Sequence, residues 1–386
     1  MKNMLKKTVA LVLALALCLS FAGCYSENNT WAAKLGDDTM PIGGYIYYLS
    51  TAYNEAAMKI SSDMEVLDGE VDGQPAQEWI ENRALDYLYG SYYLETKLQE
   101  LGQELTEDEE AQADSITNST WAYYQTAFEN MGISRDSFHR AYSVYSIQYQ
   151  KLMKLLYGEG GEMAIPQEEL EQFYQESYYP YEYFYVSLST TDEDGNSVER
   201  TDEEKEELKN TLEDYAKQIT AGDMTVEEAS TEYGEETGEN VSYSGTLSTA
   251  VESITDTLGT ALAELDEESA TVTEASSGYY VVYKRSYADG FADITADEDQ
   301  TTSLIAAMKG DEFEAYVMEQ GRSLGVELNQ GAIGRVKLSS LIDDSNRNGA
   351  SSAAESSESS ETESSASSES SEVSSEASQV SSQAEE

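Results

Sequence analysis

The side chains able to do chemistry are few in kind. Among 386 residues there are one histidine, His139, two cysteines, Cys18 and Cys24, and 75 carboxylates. Lys2, Lys6 and Lys7 precede the apolar run Val9 to Leu19, the pattern of a secretory signal over residues 1–23. Cys18 leaves with that signal, so the mature chain keeps Cys24 alone. This excludes an internal disulfide, a thiolate metal cluster and a cysteine nucleophile. Any Ser-His-Asp relay would have to use His139, and a His-rich zinc site is excluded. His139 follows Phe138 of an apolar stripe, where a lone imidazole is partly buried or solvated. No spacing singles out a carboxylate pair for glycoside hydrolysis. Asp192-Glu-Asp-Gly-Asn-Ser has the look of a calcium loop but lacks the terminal Glu, and a hairpin-like turn is expected there instead. Neither a cofactor nor a metal is expected.

The elements that would position a site lie between Tyr181 and Arg285. Tyr181-Glu-Tyr-Phe-Tyr-Val-Ser-Leu-Ser-Thr190 is aromatic and β-branched and follows Pro180, so it reads as a strand. Thr201 with Glu204 and Thr225 with Glu228 are capping boxes that start two helices. Ala270 to Ala275 and Tyr279 to Lys284 flank a Ser-Gly turn and predict a hairpin. The order is strand, long helix, short helix, loop, short helix, strand, strand.

That order, with Ala221-Gly222-Asp223 after the long helix, the turn Gly245-Thr-Leu, a helix from Asp256 to Leu265 and the closing Gly278-Tyr-Tyr-Val-Val-Tyr-Lys, resembles a parvulin-type peptidyl-prolyl isomerase domain. The resemblance implies a groove for an X-Pro bond, with a His in the first strand, another in the last and an Asp or Cys between them. Here Tyr185 and Tyr280 stand at the two His positions, Thr246 at the acid or thiol, and Leu258 at a pocket Phe. The shell is kept and the polar centre replaced. Whether any isomerase activity survives stays open, since a phenol is not an imidazole network.

The signal ends Ser20-Phe-Ala-Gly-Cys24, small residues directly before a cysteine, which resembles a lipoprotein signal and implies lipid transfer to Cys24. The net charge is −53, and it becomes more negative once Lys2, Lys6 and Lys7 are removed. Phosphates would be repelled, so nucleic acid is excluded as a partner. Anionic headgroups would be repelled too, so the membrane anchor has to be the lipid. Unfolded chains of basic or weak charge remain compatible.

Around this insert the pattern is helical. Trp31 to Ile42 predicts a small ribbon turning at Gly36-Asp37, and Pro41 and Pro75 open helices running to about Ile60 and Leu101. Ile80, Ala84, Tyr87, Ser91, Leu94, Leu98 and Leu101 form one stripe. Thr106 and Glu109 cap a third helix, with Trp121, Tyr124, Phe128 and Met131 as its stripe. Ser134 caps a fourth, with Phe138, Tyr142, Tyr145, Tyr149, Leu152 and Leu156. Ile165-Pro-x-x-Glu-Leu-x-x-Phe-Tyr is similar to the connector of SurA- and PrsA-like foldases, as is the start Ala33-Lys-Leu-Gly-Asp before a Tyr-rich helix. Ser286 to Glu298 reads as a linker, Thr301 to Leu324 as an amphipathic helix, and Gly325 to Leu328 and Arg335 to Leu338 as strand-like. The resemblance implies that this late helix packs back on the early ones.

The expected organisation is therefore α+β. A signal (1–23) precedes an N-terminal helical lobe (24–165), a linking helix (166–180) and a parvulin-like domain (181–287). A C-terminal segment (288–342) returns to the lobe, and a Ser/Glu-rich tail (343–386) too poor in apolar residues to offset its chain entropy is expected to be disordered. The resemblance implies an extracytoplasmic, lipid-anchored chaperone for unfolded secreted polypeptides. An active prolyl isomerase and a solute-binding or adhesive surface lipoprotein are the alternatives. The 29 tyrosines could form either core or client-binding surface: Tyr47, Tyr48, Tyr92, Tyr93 and Tyr123 all fall beside the main stripes.

Overall fold

The computed structural model describes residues 30–191, 196–239, 241–254 and 256–341. The expected signal, Cys24, the tail and most of the loop starting at Asp192 lie outside the described residues.

Strands β1 (Trp31–Leu35) and β2 (Asp38–Pro41) form a ribbon ahead of α1 (Ile42–Lys59), α2 (Ala76–Glu100) and α3 (Glu107–Met131). The fourth helical run is α4 (Arg135–Phe138), a π-helical stretch His139–Val144, and α5 (Tyr145–Tyr157). Helix α6 (Gln167–Ser177) passes directly into β3 (Tyr178–Ser187). Then come α7 (Asp202–Ala221), α8 (Val226–Thr237), β4 (Ser242–Tyr243), β5 (Leu247–Ala250), α9 (Asp256–Glu264), β6 (Ser269–Ala275) and β7 (Gly278–Lys284). Helices α10 (Tyr287–Ala296) and α11 (Glu298–Arg322) and strand β8 (Glu327–Leu328) bring the chain back to its start.

Local chemistry sets the helix starts. Thr106, Thr201 and Thr225 each accept from the backbone N–H three residues on, and the Glu at that position accepts the Thr backbone N–H in return. Ser134 caps α4 in the same way from one side, accepting from the N–H of Ser137.

The helical lobe is assembled from both ends of the chain. Helix α11 lies along α2 with Phe313 and Val317 fully buried. A Cβ on Gly321 would sit 2.3 Å from the Tyr89 carbonyl oxygen, so only a glycine lets the two backbones meet there. Arg83 of α2 bonds Glu314 of α11 at 2.7 Å and Glu55 of α1 at 2.8 Å, pinning three helices. Strand β8 pairs with β1, Ala33 opposite Leu328. The architecture is α+β, a discontinuous helical lobe with the sheet domain inserted.

The inserted sheet runs β6-β7-β3-β4, antiparallel, with β5 also on β3. Its register places Tyr280 opposite Tyr185 and Val281 opposite Phe184. Side chains alternate across a strand. Phe184, Val186, Tyr279 and Val281 therefore meet Leu208, Leu212, Ile219 and Tyr233 of α7 and α8 on one face. Tyr181, Tyr183, Tyr280 and Val282 meet Leu258 and Leu262 of α9 on the other.

Four local expectations change. The expected linker 286–298 holds α10, capped by Ser286 accepting from the N–H of Asp289 and buried through Phe291 and Ile294. Strand β3 starts at Tyr178, so Pro180 lies inside it; its carbonyl accepts from the N–H of Arg285, so its missing donor faces the chain just past the end of β7, where that ladder closes. Arg335 to Leu338 is not a strand: the chain turns through Gln330–Ile333 after Asn329 caps it. In the fourth helix the π-helical stretch breaks the expected periodicity, and Tyr142 is left 37% exposed.

Candidate functional site

Period-two alternation on β3 puts Tyr181, Tyr183 and Tyr185 on one face, and register brings Tyr280 of β7 among them. The Tyr280 ring lies 5.0 Å from that of Tyr185 and 5.3 Å, edge-on, from that of Tyr183; Tyr181 stacks on Tyr183 at 6.2 Å. The Tyr185 hydroxyl donates to Ser277 Oγ at 2.9 Å, in the turn before β7. A Cβ on Gly278 would fall 2.3 Å from the Tyr185 ring, so the ring lies flat over a bare backbone. Burial pushes the Tyr280 phenol upward, with Tyr183 and Tyr185 adding to it, and burial does the same to Tyr183. Both therefore stay protonated at neutral pH and offer a hydroxyl donor rather than a base.

Of the four residues singled out from sequence, the structure gathers three. Tyr185 and Tyr280 are a cross-strand pair, and Leu258 is buried in the cluster against which Tyr280 packs. Thr246 is not with them. It is exposed, and its hydroxyl donates to Glu182 at 3.4 Å. Glu182 leaves the opposite face of β3, where it also accepts from Tyr243 at 3.1 Å and pairs with Arg285 at 3.4 Å. Tyr183 and Ser277 complete the face and were not singled out. The alternation Tyr-x-Tyr-x-Tyr already marks Tyr183, whereas nothing local marks Ser277 as the partner of a residue 92 positions earlier.

What this face can do is stack and donate. Phenol rings flank an open strip that takes an apolar or prolyl side chain. The cation on this face, Lys284 opposite Tyr181, is buried and donates to the Leu262 and Leu265 carbonyls at 3.0 Å, so its charge is engaged there and not turned toward the Tyr185–Tyr280 pair. Elsewhere, His139 Nδ1 lies 2.8 Å from Thr117 Oγ1 and 3.9 Å from Asp114. A relay needs hydroxyl and carboxylate on opposite ring nitrogens, and here both approach the same one. Thr117 is also fully buried, which closes it to substrate. Among the described residues no group of His, Cys, Asp and Glu is placed to hold a metal ion.

A second concavity of about 820 Å³ opens between α1, α2 and α11, with Met58, Trp79 and Leu85 beside Asp86, Asp311 and Arg322. Met58 at its rim is 82% exposed. The off-stripe tyrosines divide: Tyr48, Tyr92 and Tyr93 are core, Tyr47 is half-buried, and Tyr123 is 87% exposed on α3. Tyr92 shows the core use, donating to the Ala33 carbonyl and accepting from the N–H of Met40, both at 2.9 Å. Tyr124, expected in the α3 stripe, is 56% exposed; its ring lies 5.8 Å from that of Phe128, the stripe residue that reaches Tyr47 of α1.

No protein-family profile matches the chain, and no curated protein does. The solved structures to which it is similar in fold include three foldases. Foldase protein PrsA from Streptococcus pneumoniae str. Canada MDR_19A is 13% identical, covering 81% of this chain and 100% of its own, at a TM-score of 0.35. Foldase protein PrsA from Lactococcus lactis is 15% identical over 82% of this chain and 100% of its own, also at 0.35. PrsA from Bacillus subtilis is 13% identical over 67% of this chain and 91% of its own, at 0.29.

Proposed function

We propose that this protein is an extracytoplasmic chaperone of the foldase kind, anchored through lipid on Cys24, that holds unfolded secreted polypeptides. The parvulin-like insert would act as a binding module with weak or no isomerase activity. The carrying observation is the tyrosine face itself: partly exposed phenol rings, with the Lys284 ammonium tied up by the Leu262 and Leu265 carbonyls, at the place where the resembling enzymes keep a polar centre. Rigid phenol rings offer contact area at low entropic cost. Rotation about a prolyl peptide bond meets a barrier of about 18–20 kcal/mol, and lowering it requires groups that bind the twisted amide better than the planar one. Tyr185 spends its proton on Ser277, which leaves little for that task. The exposed rings of Tyr123 and Tyr124 supply further apolar surface, as does Met58 at the rim of a concavity that is otherwise mostly charged. The charge of −53 favours clients of basic or weak charge.

The test pairs two assays on the full chain. Aggregation of a chemically unfolded client should be suppressed at stoichiometric amounts, and an X-Pro peptide should isomerise at nearly its uncatalysed rate. Absence of suppression at excess protein sinks the chaperone reading. Strong catalysis that is lost in a Tyr185→Phe, Tyr280→Phe double variant would sink the binding-module reading and establish an isomerase.

A further inference from the structure

We propose that the free edge of β6 binds an extended, basic segment of a client as an added antiparallel or parallel strand. This rests on the chaperone reading and names where and how a client would be held. Among the described residues strand β6 ends the sheet, with β7 on one side and no strand on the other. Its Ala270 N–H donates not to β7 but outward, to Thr220 Oγ1 of α7 at 2.8 Å. In antiparallel pairing the outward positions alternate, so the peptide groups of Val272 and Glu274 point the same way. Among the described residues no protein partner reaches those groups. Helix α7 thus covers the start of the edge and leaves the rest open.

A groove of about 620 Å³ runs along this open part. Ala261, Glu264 and Leu265 at the end of α9 wall it on one side, and Thr271, Thr273 and Glu274 on the other. A helix set beside a bare strand edge is the arrangement in which a peptide adds as a strand, its main chain bonding the edge and alternate side chains entering the groove. Thr273 lies opposite Tyr280, which lies opposite Tyr185, so the groove is continuous with the tyrosine face. The occupant follows from charge. Glu264 lines the groove on the α9 side and Glu274, on the face of Tyr279, flanks the same edge from the other side of the sheet, with no basic residue in the lining. A lysine- or arginine-bearing client is attracted, whereas the Glu-rich tail of this chain and the edge of a second copy, which bring more carboxylate, are disfavoured.

The experiment follows amide exchange by NMR on the full chain in detergent micelles, titrated with a short peptide of alternating lysine and valine. The amides of Val272 and Glu274 should gain about tenfold protection or more, the worth of one or two hydrogen bonds. Methylating alternate peptide nitrogens should weaken binding by about tenfold, and a glutamate–valine peptide should not bind. Glu264→Gln with Glu274→Gln should weaken the lysine peptide about threefold and flatten its salt dependence. Val272→Pro removes one outward N–H at an edge, where proline is tolerated, and should lower affinity while circular dichroism stays unchanged. Unprotected Val272 and Glu274 amides at peptide saturation, or equal binding of the methylated peptide, overturn the assignment. So does protection of those amides by self-association without peptide. Aggregation suppression in the same samples separates the two readings. If it persists with these amides unprotected, only the edge site falls; if the wild type suppresses nothing, the chaperone reading falls by itself.

Discussion

On one face of the inserted sheet, Phe184, Val186, Tyr279 and Val281 are buried beneath α7 and α8. On the other, Tyr183, Tyr185 and Tyr280 keep part of their surface beside the single short helix α9. Both faces come from the same two strands, and both are aromatic. Residue type therefore does not distinguish them; the area of helix laid over each face does. The covered face drives folding through apolar burial. The other is left with rings ordered by their neighbours yet reachable from solvent, which suits a surface that must receive something.

The sharpest way to break this comparison is to truncate on the covered face. Phe184→Ala removes a fully buried ring, and it should cost about 3–5 kcal/mol in denaturant unfolding of the insert. A loss near that of an exposed site would mean the two faces are energetically alike. An intermediate loss is expected on alkaline titration. Burial first, then Glu239, pushes the phenol of Tyr233 on α8 from 10.0 up to about 12. A folded pKa above the unfolded one stabilises fully below pH 10 and ceases to do so as pH rises through 12. Unfolding midpoints should fall across that window, and Tyr233→Phe should flatten the fall. On the open face, Gly278→Ala drives a methyl into the Tyr185 ring and should cost about 1–3 kcal/mol. It should also swing that ring off Ser277, seen as a shifted Tyr185 signal by NMR. The smallest effect belongs to Tyr185→Phe, about 0.5 kcal/mol or less, because it deletes one solvent-side hydrogen bond. A cost of several kcal/mol would mean that the tyrosine face is core.

Much of the fold was legible in the residues. The three Thr-x-x-Glu boxes mark helix starts to the residue, and the Ser-Gly turn fixes the β6–β7 hairpin, because these are bonds between positions at most a few apart. Helix α10 was read as a linker although Ser286, Phe291 and Ile294 carry its cap and its apolar side; ten residues hold too short a stripe to stand out. Of the four residues singled out by pattern, the structure places Tyr185, Tyr280 and Leu258 together and Thr246 apart. Its loop turns the hydroxyl to Glu182, and that partner is fixed by how β4 and β5 return to β3 rather than by any spacing.

By itself the sequence determined the helix caps, the two-residue alternation of tyrosines along β3, the shortage of catalytic groups and the sign of the charge. All of these follow from composition or from neighbours along the chain. Only the tertiary structure decided which tyrosines are core and which are surface, which sheet face stays open, and that β6 is an edge. Burial depends on elements hundreds of residues away, as when α11 closes on α2, and no local pattern encodes how much of a face a distant helix will cover.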